Sequence, residues 1–151
     1  MEETKESLMQ VAEVELMWKK KKKLITKVKE SKEAVEVFRT VWHHDINIRE
    51  RCYALFMNRV NNVIAVSEIS AGGVSGTVID TKILFAQALK LLASGIILAH
   101  NHPSGNLNPS GHDKDITTKV KKGCEVFDMV LVDHVILTED DHYSFANEGS
   151  L

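Results

Sequence analysis

The sequence predicts an α/β domain built as a mixed β-sheet flanked by helices, and three observations carry that prediction. Stretches with strand-like alternation interleave with stretches whose apolar residues recur at helical spacing. One short run, IILA (97–99 with Ile96), is wholly apolar, as befits a central strand covered on both faces. Neither a repeat nor a Pro/Gly-rich linker divides the 151 residues, a length that suits one domain with a core of its own.

The elements follow in order. Residues 1–10 read as a flexible N-terminus, and 11–151 as the domain. VAEVELMW alternates at Val11, Val14 and Leu16 and reads as a first strand, which could pair with a second copy in a homodimer. Lys19 to Lys23 follow as the one marked charge run. It reads as a solvated edge, since lysines guard strand edges, with a nucleic-acid patch as the other reading. Ser31 is positioned to cap a helix over SKEAVEVFRTVW, whose Val35, Phe38, Val41 and Trp42 share a face. YALFMN and VIAVSEIS form a β-hairpin across RVNN, because Asn61-Asn62 tolerates positive φ. AGGVSG marks a loop. Asp80 or Thr81 caps a second helix, TKILFAQALKLLA, which is expected to end near Gly95. A third helix starts at Ser110 and is expected to stop at Gly123. Three strands, EVFDMVLV, HVIL and HYSF, close the chain, the last two joined by an acidic turn at Glu139–Asp141.

Composition removes several classes of function. A net charge of −2 gives no global signal for a nucleic-acid or membrane surface. Nowhere does a window approach the roughly 18 apolar residues of a membrane-spanning helix. The opening MEETKESLMQ is acidic and polar, unlike a secretory signal. Cys52 and Cys124 are far apart in sequence and form no CxxC, which fits buried thiols in a reducing compartment. A cytoplasmic protein is expected.

The chemistry concentrates in ILAHNHPSGNLNPSGHDKD. His100 and His102 stand two apart at a strand end, so their imidazoles can converge on one point. Ser110 and Asp113 share a face across the first turn of the next helix. Two imidazoles and a carboxylate suit zinc, and three protein ligands leave a fourth position for water, as catalytic sites do.

His100-x-His102-Pro103, followed after six residues by Ser110-x-x-Asp113, resembles the JAMM motif of zinc metallopeptidases. The longer wording HNHPSG…PS..D resembles the RadC-like branch of that JAMM/MPN superfamily, as do ISAGGVSGTVID and LVDHVIL. The resemblance runs from about Val11 to the C-terminus and implies a cytidine-deaminase-like architecture. Full-length members usually carry an N-terminal helix-hairpin-helix region, so a stand-alone domain is expected here. The resemblance further implies one Zn2+ per chain held by His100, His102 and Asp113. It implies that Ser110 donates to the oxyanion or orients the metal's water, although Ser110 reads equally as a helix N-cap. An upstream glutamate acts as general base in the family. Glu50 directly precedes the strand RCYALFMN, as that glutamate does, with Glu68 in VSEIS as competitor. The implied activity is hydrolysis of a peptide or isopeptide bond in a peptide or protein substrate by a metal-activated water.

The other polar residues of the region read more simply. His112 points elsewhere on the helix and reads as solvent-exposed, and His134 reads as structural. The rival function is a binding module, associated with DNA repair or mobile elements, that keeps the metal site without turnover. A historical repair label attaches to RadC-like proteins, and the lysine run is its only local support. A zinc deaminase would need H-x-E and P-C-x-x-C, which are missing, and a two-metal nuclease would need acids beyond Asp115.

Overall fold

A computed structural model of the chain describes residues 27–73 and 79–151. The expected first strand and the Lys19–Lys23 run lie outside those residues, as does the second half of the AGGVSG loop. Among the described residues the order is α1 (Ser31–Val41), β1 (Arg51–Met57), β2 (Val63–Ala71), α2 (Thr81–Lys90), β3 (Gly95–Asn101), α3 (Gly111–Val126), β4 (Val130–Leu137) and β5 (His142–Ser144). The strands form one mixed sheet in the order β2-β1-β3-β4-β5. Only β3 and β4 run parallel, joined through α3; the other neighbours are antiparallel.

Alternation along the strands sorts the core into two layers. Ala54, Phe56, Ile96 and Leu98 face α2 and α3, packing on Leu84, Ala88, Ile116 and Val120. Tyr53, Leu55, Met57, Ile97 and Ala99 face α1, packing on Ala34, Val35 and Phe38. β3 lies at the centre with every residue buried, as its apolar run predicts. Cys52 and Cys124 are free and buried, and burial pushes the Cys124 thiol up to about 11.

The hairpin forms as expected, with Asn61 at φ 62°. Several boundaries differ, each for a visible reason. The N-cap of α1 is Glu30 rather than Ser31, because Glu30 and Glu33 form a reciprocal capping box. Of the two candidates for α2, the cap is Asp80, whose carboxylate accepts from the N–H groups of Lys82 and Ile83. This helix stops well before Gly95. Leu92 adopts φ 52°, and Ala93 N–H donates to the Ala88 carbonyl in a Schellman turn. α3 runs through Gly123 to Val126 and closes with the same motif, Asp128 at φ 54° and Met129 N–H on the Cys124 carbonyl. Gly123 serves packing instead of termination, since a Cβ there would stand 2.5 Å from Phe85 Cζ. The segment EVFDMVLV is therefore helix end, turn and strand start, and VLVDHVIL is one strand where two were expected.

The register of β4 bears directly on the site. Ile96 pairs with Leu131 but Ile97 with Asp133, so Val132 is bulged out. The bulge sets His134 opposite Leu98 and turns its ring toward α3, the side that His100 also faces.

Candidate metal centre

The centre forms where β3 ends and α3 begins, at the carboxyl end of a parallel strand. His100 and His102 point to the α3 side by strand alternation, and Asn101 between them points the other way. After His102 the chain reverses: Gly105 N–H donates to the His102 carbonyl and Gly105 sits at φ 82°, a conformation glycine adopts without strain. Ser110 then caps α3. Its hydroxyl accepts from Asp113 N–H at 3.1 Å, and the Asp113 carboxylate accepts from Ser110 N–H at 2.7 Å. The capping box places the carboxylate at the positive end of the helix.

Three side chains converge there. His100 Nε2 is 3.0 Å from His102 Nε2 and 3.1 Å from Asp113 Oδ1, and His102 Nε2 is 3.3 Å from Asp113 Oδ2. Ligands on a tetrahedral zinc with bonds near 2.0–2.1 Å stand about 3.3 Å apart, so the spacing and the donor set both fit such an ion. Among the described residues this is the group of acids, histidines and cysteines arranged to hold a metal.

The far ring nitrogens are engaged behind the convergent ones. His102 Nδ1 lies 2.6 Å from the Asn106 carbonyl, which can only accept, so this nitrogen carries the proton and Nε2 offers its lone pair. His100 Nδ1 lies 2.8 Å from His134 Nε2, and His134 Nδ1 lies 2.6 Å from Thr117 Oγ1 on α3. His134 is fully buried and stacked on Phe145, their ring planes 7° apart. Burial holds it well below the usual histidine range, so it is neutral. Burial alone would raise the Asp113 carboxyl, but the His100 and His102 rings facing it outweigh that and hold the carboxyl well below the usual range. The Asp113 carboxylate in turn raises His102.

A cleft of about 490 Å³ opens over the centre. Glu50 lines it, with Ser104, Asn106, Asn108 and Ser110 on the loop side and Ile79 and Ile116 as apolar walls. The negative charge of Glu50 contributes to the raised His102. Glu68 lies elsewhere: it accepts from Arg51 at 2.7 Å and from the Tyr53 hydroxyl at 2.9 Å, and it does not line the cleft. Ser110 both caps α3 and faces the cleft, so its two readings are compatible. His112 is exposed at the rim, as expected.

Asn101 and Thr117 were not singled out by sequence reasoning. Asn101 is completely buried on the α1 side. Its amide donates to the carbonyls of Ile46 at 2.6 Å and Arg49 at 2.8 Å, and its oxygen accepts from Arg51 N–H at 2.7 Å. It thereby grips the backbone on both sides of Glu50, whose own carbonyl accepts from Gly72 N–H at 2.8 Å. The available signal was alternation, which requires the residue between two ligands on one strand to face away from them. Thr117 lies at i+4 from Asp113, so helix spacing places it beneath that residue.

Comparison with known proteins gives a consistent result. The family model described as a RadC-like JAB domain matches residues 28–150. A UPF0758 protein of Flavobacterium johnsoniae is 47% identical over 100 residues, covering 66% of this chain and 44% of that protein. UPF0758 proteins of Porphyromonas gingivalis and Aquifex aeolicus are 41% and 39% identical over 104 and 103 residues, covering 68% of this chain and 46% and 45% of theirs. The matched part is thus less than half the length of these relatives, and their names state no activity. Among the described residues no helix is long and apolar enough to cross a membrane.

Proposed function

The chain belongs to the RadC-like JAB domain family, and from that premise we propose that it is a zinc-dependent hydrolase of peptide or isopeptide bonds, with one zinc held by His100, His102 and Asp113. The observation that carries the proposal is the convergence of two Nε2 atoms and a carboxylate within 3.0–3.3 Å at the floor of a cleft that Glu50 also lines. Zinc held there would acidify a water and polarise a substrate carbonyl as a Lewis acid.

This chain's own residues supply the remainder. Glu50 faces the same cleft and takes the proton released as the nucleophile attacks, then returns it to the leaving amine. Ser110 accepts from Asp113 N–H through its oxygen, which leaves its hydroxyl proton to donate toward the oxyanion. Among the described residues no lysine or arginine lines the cleft. A phosphodiester would call for such cations, whereas an amide carbonyl does not, and this supports a peptide-like substrate over nucleic acid.

Metal content by mass spectrometry on untagged protein, wild type and His102→Ala, tests the assignment. One zinc per chain in the wild type, absent from the folded variant, is the expected result. Metal-free wild type after zinc is supplied would sink the hydrolase reading. Two histidines and a carboxylate also suit non-haem iron(II), so iron in place of zinc would move the chemistry to another class. Glu50→Gln should keep the zinc and lose hydrolysis of a peptide library by about 100-fold or more.

A further inference from the structure

We propose that Thr117 and His134 are positioning residues that set His100 in the one tautomer able to bind a metal through Nε2. The inference rests on the reading of His100, His102 and Asp113 as a metal centre and adds to it how one ligand is prepared.

The argument is a count of protons. Thr117 Oγ1 stands 2.6 Å from the Asp113 carbonyl and 2.6 Å from His134 Nδ1. A hydroxyl has one proton to give, and the carbonyl can only accept. The Thr117 proton must therefore go to the Asp113 carbonyl; otherwise two oxygens would face each other at 2.6 Å with nothing between them. Thr117 Oγ1 is then the acceptor for His134, whose Nδ1 carries the hydrogen. His134 is fully buried between Thr117 and His100, where a second ring hydrogen would bury a charge, so with its one hydrogen on Nδ1 its Nε2 is bare and accepts from His100 Nδ1–H across 2.8 Å. With that ring's hydrogen on Nδ1, the lone pair of His100 lies on Nε2, where His102 Nε2 and Asp113 converge. Every link points the same way, and the sense originates in a backbone carbonyl that cannot reverse it. His102 reaches the same tautomer in one step through the Asn106 carbonyl. The Asp113 carbonyl belongs to the third ligand, so one residue provides a carboxylate to the centre and orients a histidine through the relay.

Removing the hydroxyl leaves the opposite sense available. Without an acceptor at position 117, His134 avoids a stranded buried N–H by moving its hydrogen to Nε2 and donating to His100 Nδ1. His100 then carries its hydrogen on Nε2, in the position a metal would need. Thr117→Val therefore favours the metal-free protein over the loaded one, which a purely structural role for the threonine would not do.

The test is zinc affinity by chelator competition on wild type, Thr117→Val and Thr117→Ser, with nitrogen NMR of His134 in each metal-free protein. Thr117→Val, nearly isosteric, should bind zinc about 10–100-fold more weakly, and Thr117→Ser, which keeps the hydroxyl, should stay within about threefold of wild type. The His134 hydrogen should sit on Nδ1 in wild type and Thr117→Ser and on Nε2 in Thr117→Val. A valine variant with wild-type affinity, a serine variant as weak as valine, or the same His134 tautomer in all three would overturn the proposal. Wild-type protein that takes up no zinc would instead overturn the metal reading, and the NMR readout would still judge the relay.

Discussion

Replacing Asn101 by leucine probes how Glu50 is held. The side chain is fully buried and makes three hydrogen bonds to backbone, to Ile46 and Arg49 as donor and from Arg51 as acceptor. Leucine keeps the branched shape of the side chain but makes none of the three hydrogen bonds. At about 1 kcal/mol for each bond, the loss is about 3 kcal/mol, and it grows if the released carbonyls stay shielded from water. A domain stabilised by roughly 5–15 kcal/mol tolerates that and remains folded. The metal ligands should be spared, because their ring partners, Asn106, His134 and the capping box of Ser110, do not involve Asn101. The loop that ends in Glu50 should be the part released. Urea unfolding should show a lower midpoint with an unchanged slope. Zinc should stay near one per chain, while hydrolysis of any substrate found falls toward the level of Glu50→Gln. A stability loss under about 1 kcal/mol would refute the idea that Asn101 carries this loop. Loss of zinc from folded protein would show that it supports the ligands instead of the base.

Two further predictions concern the helix ends and the packing of α3. Gly123→Ala should destabilise the wild type by about 1 kcal/mol, because displacing Phe85 costs more than the roughly 1 kcal/mol of helix propensity that alanine returns. The same change in a Phe85→Ala background should raise stability by about 0.5–1 kcal/mol, and a shared sign in both backgrounds would contradict the clash. Leu92 is 76% exposed and sits at φ 52°, so Leu92→Gly should relieve strain without losing burial. Its urea midpoint should rise by the equivalent of about 0.5–1 kcal/mol, and a fall would show that the leucine is held by contacts beyond its own turn.

The class of the fold, its central strand and the grouping of His100, His102 and Asp113 follow from the sequence alone. These rest on short-range rules: alternation puts His100 and His102 on one face, and one helical turn joins Ser110 to Asp113. The choice of Glu50 over Glu68 was only half legible, since the position before a strand says nothing about which cleft a carboxylate enters. Packing separates the two, with Arg51 and Tyr53 engaging Glu68 and Asn101 bracketing Glu50, which lines the cleft. Helix ends depart from the glycine pattern where Leu92 and Asp128 take the left-handed positions that glycine usually fills, and where Gly123 answers to Phe85 across the helix interface. The relay behind His100 depends on tertiary structure alone. His134 reaches it because β4 is bulged at Val132 and lies parallel to β3, and Thr117 because α3 packs over both. Those contacts join residues distant along the chain, and a local pattern of side chains carries no information about which way a bulge will turn a ring.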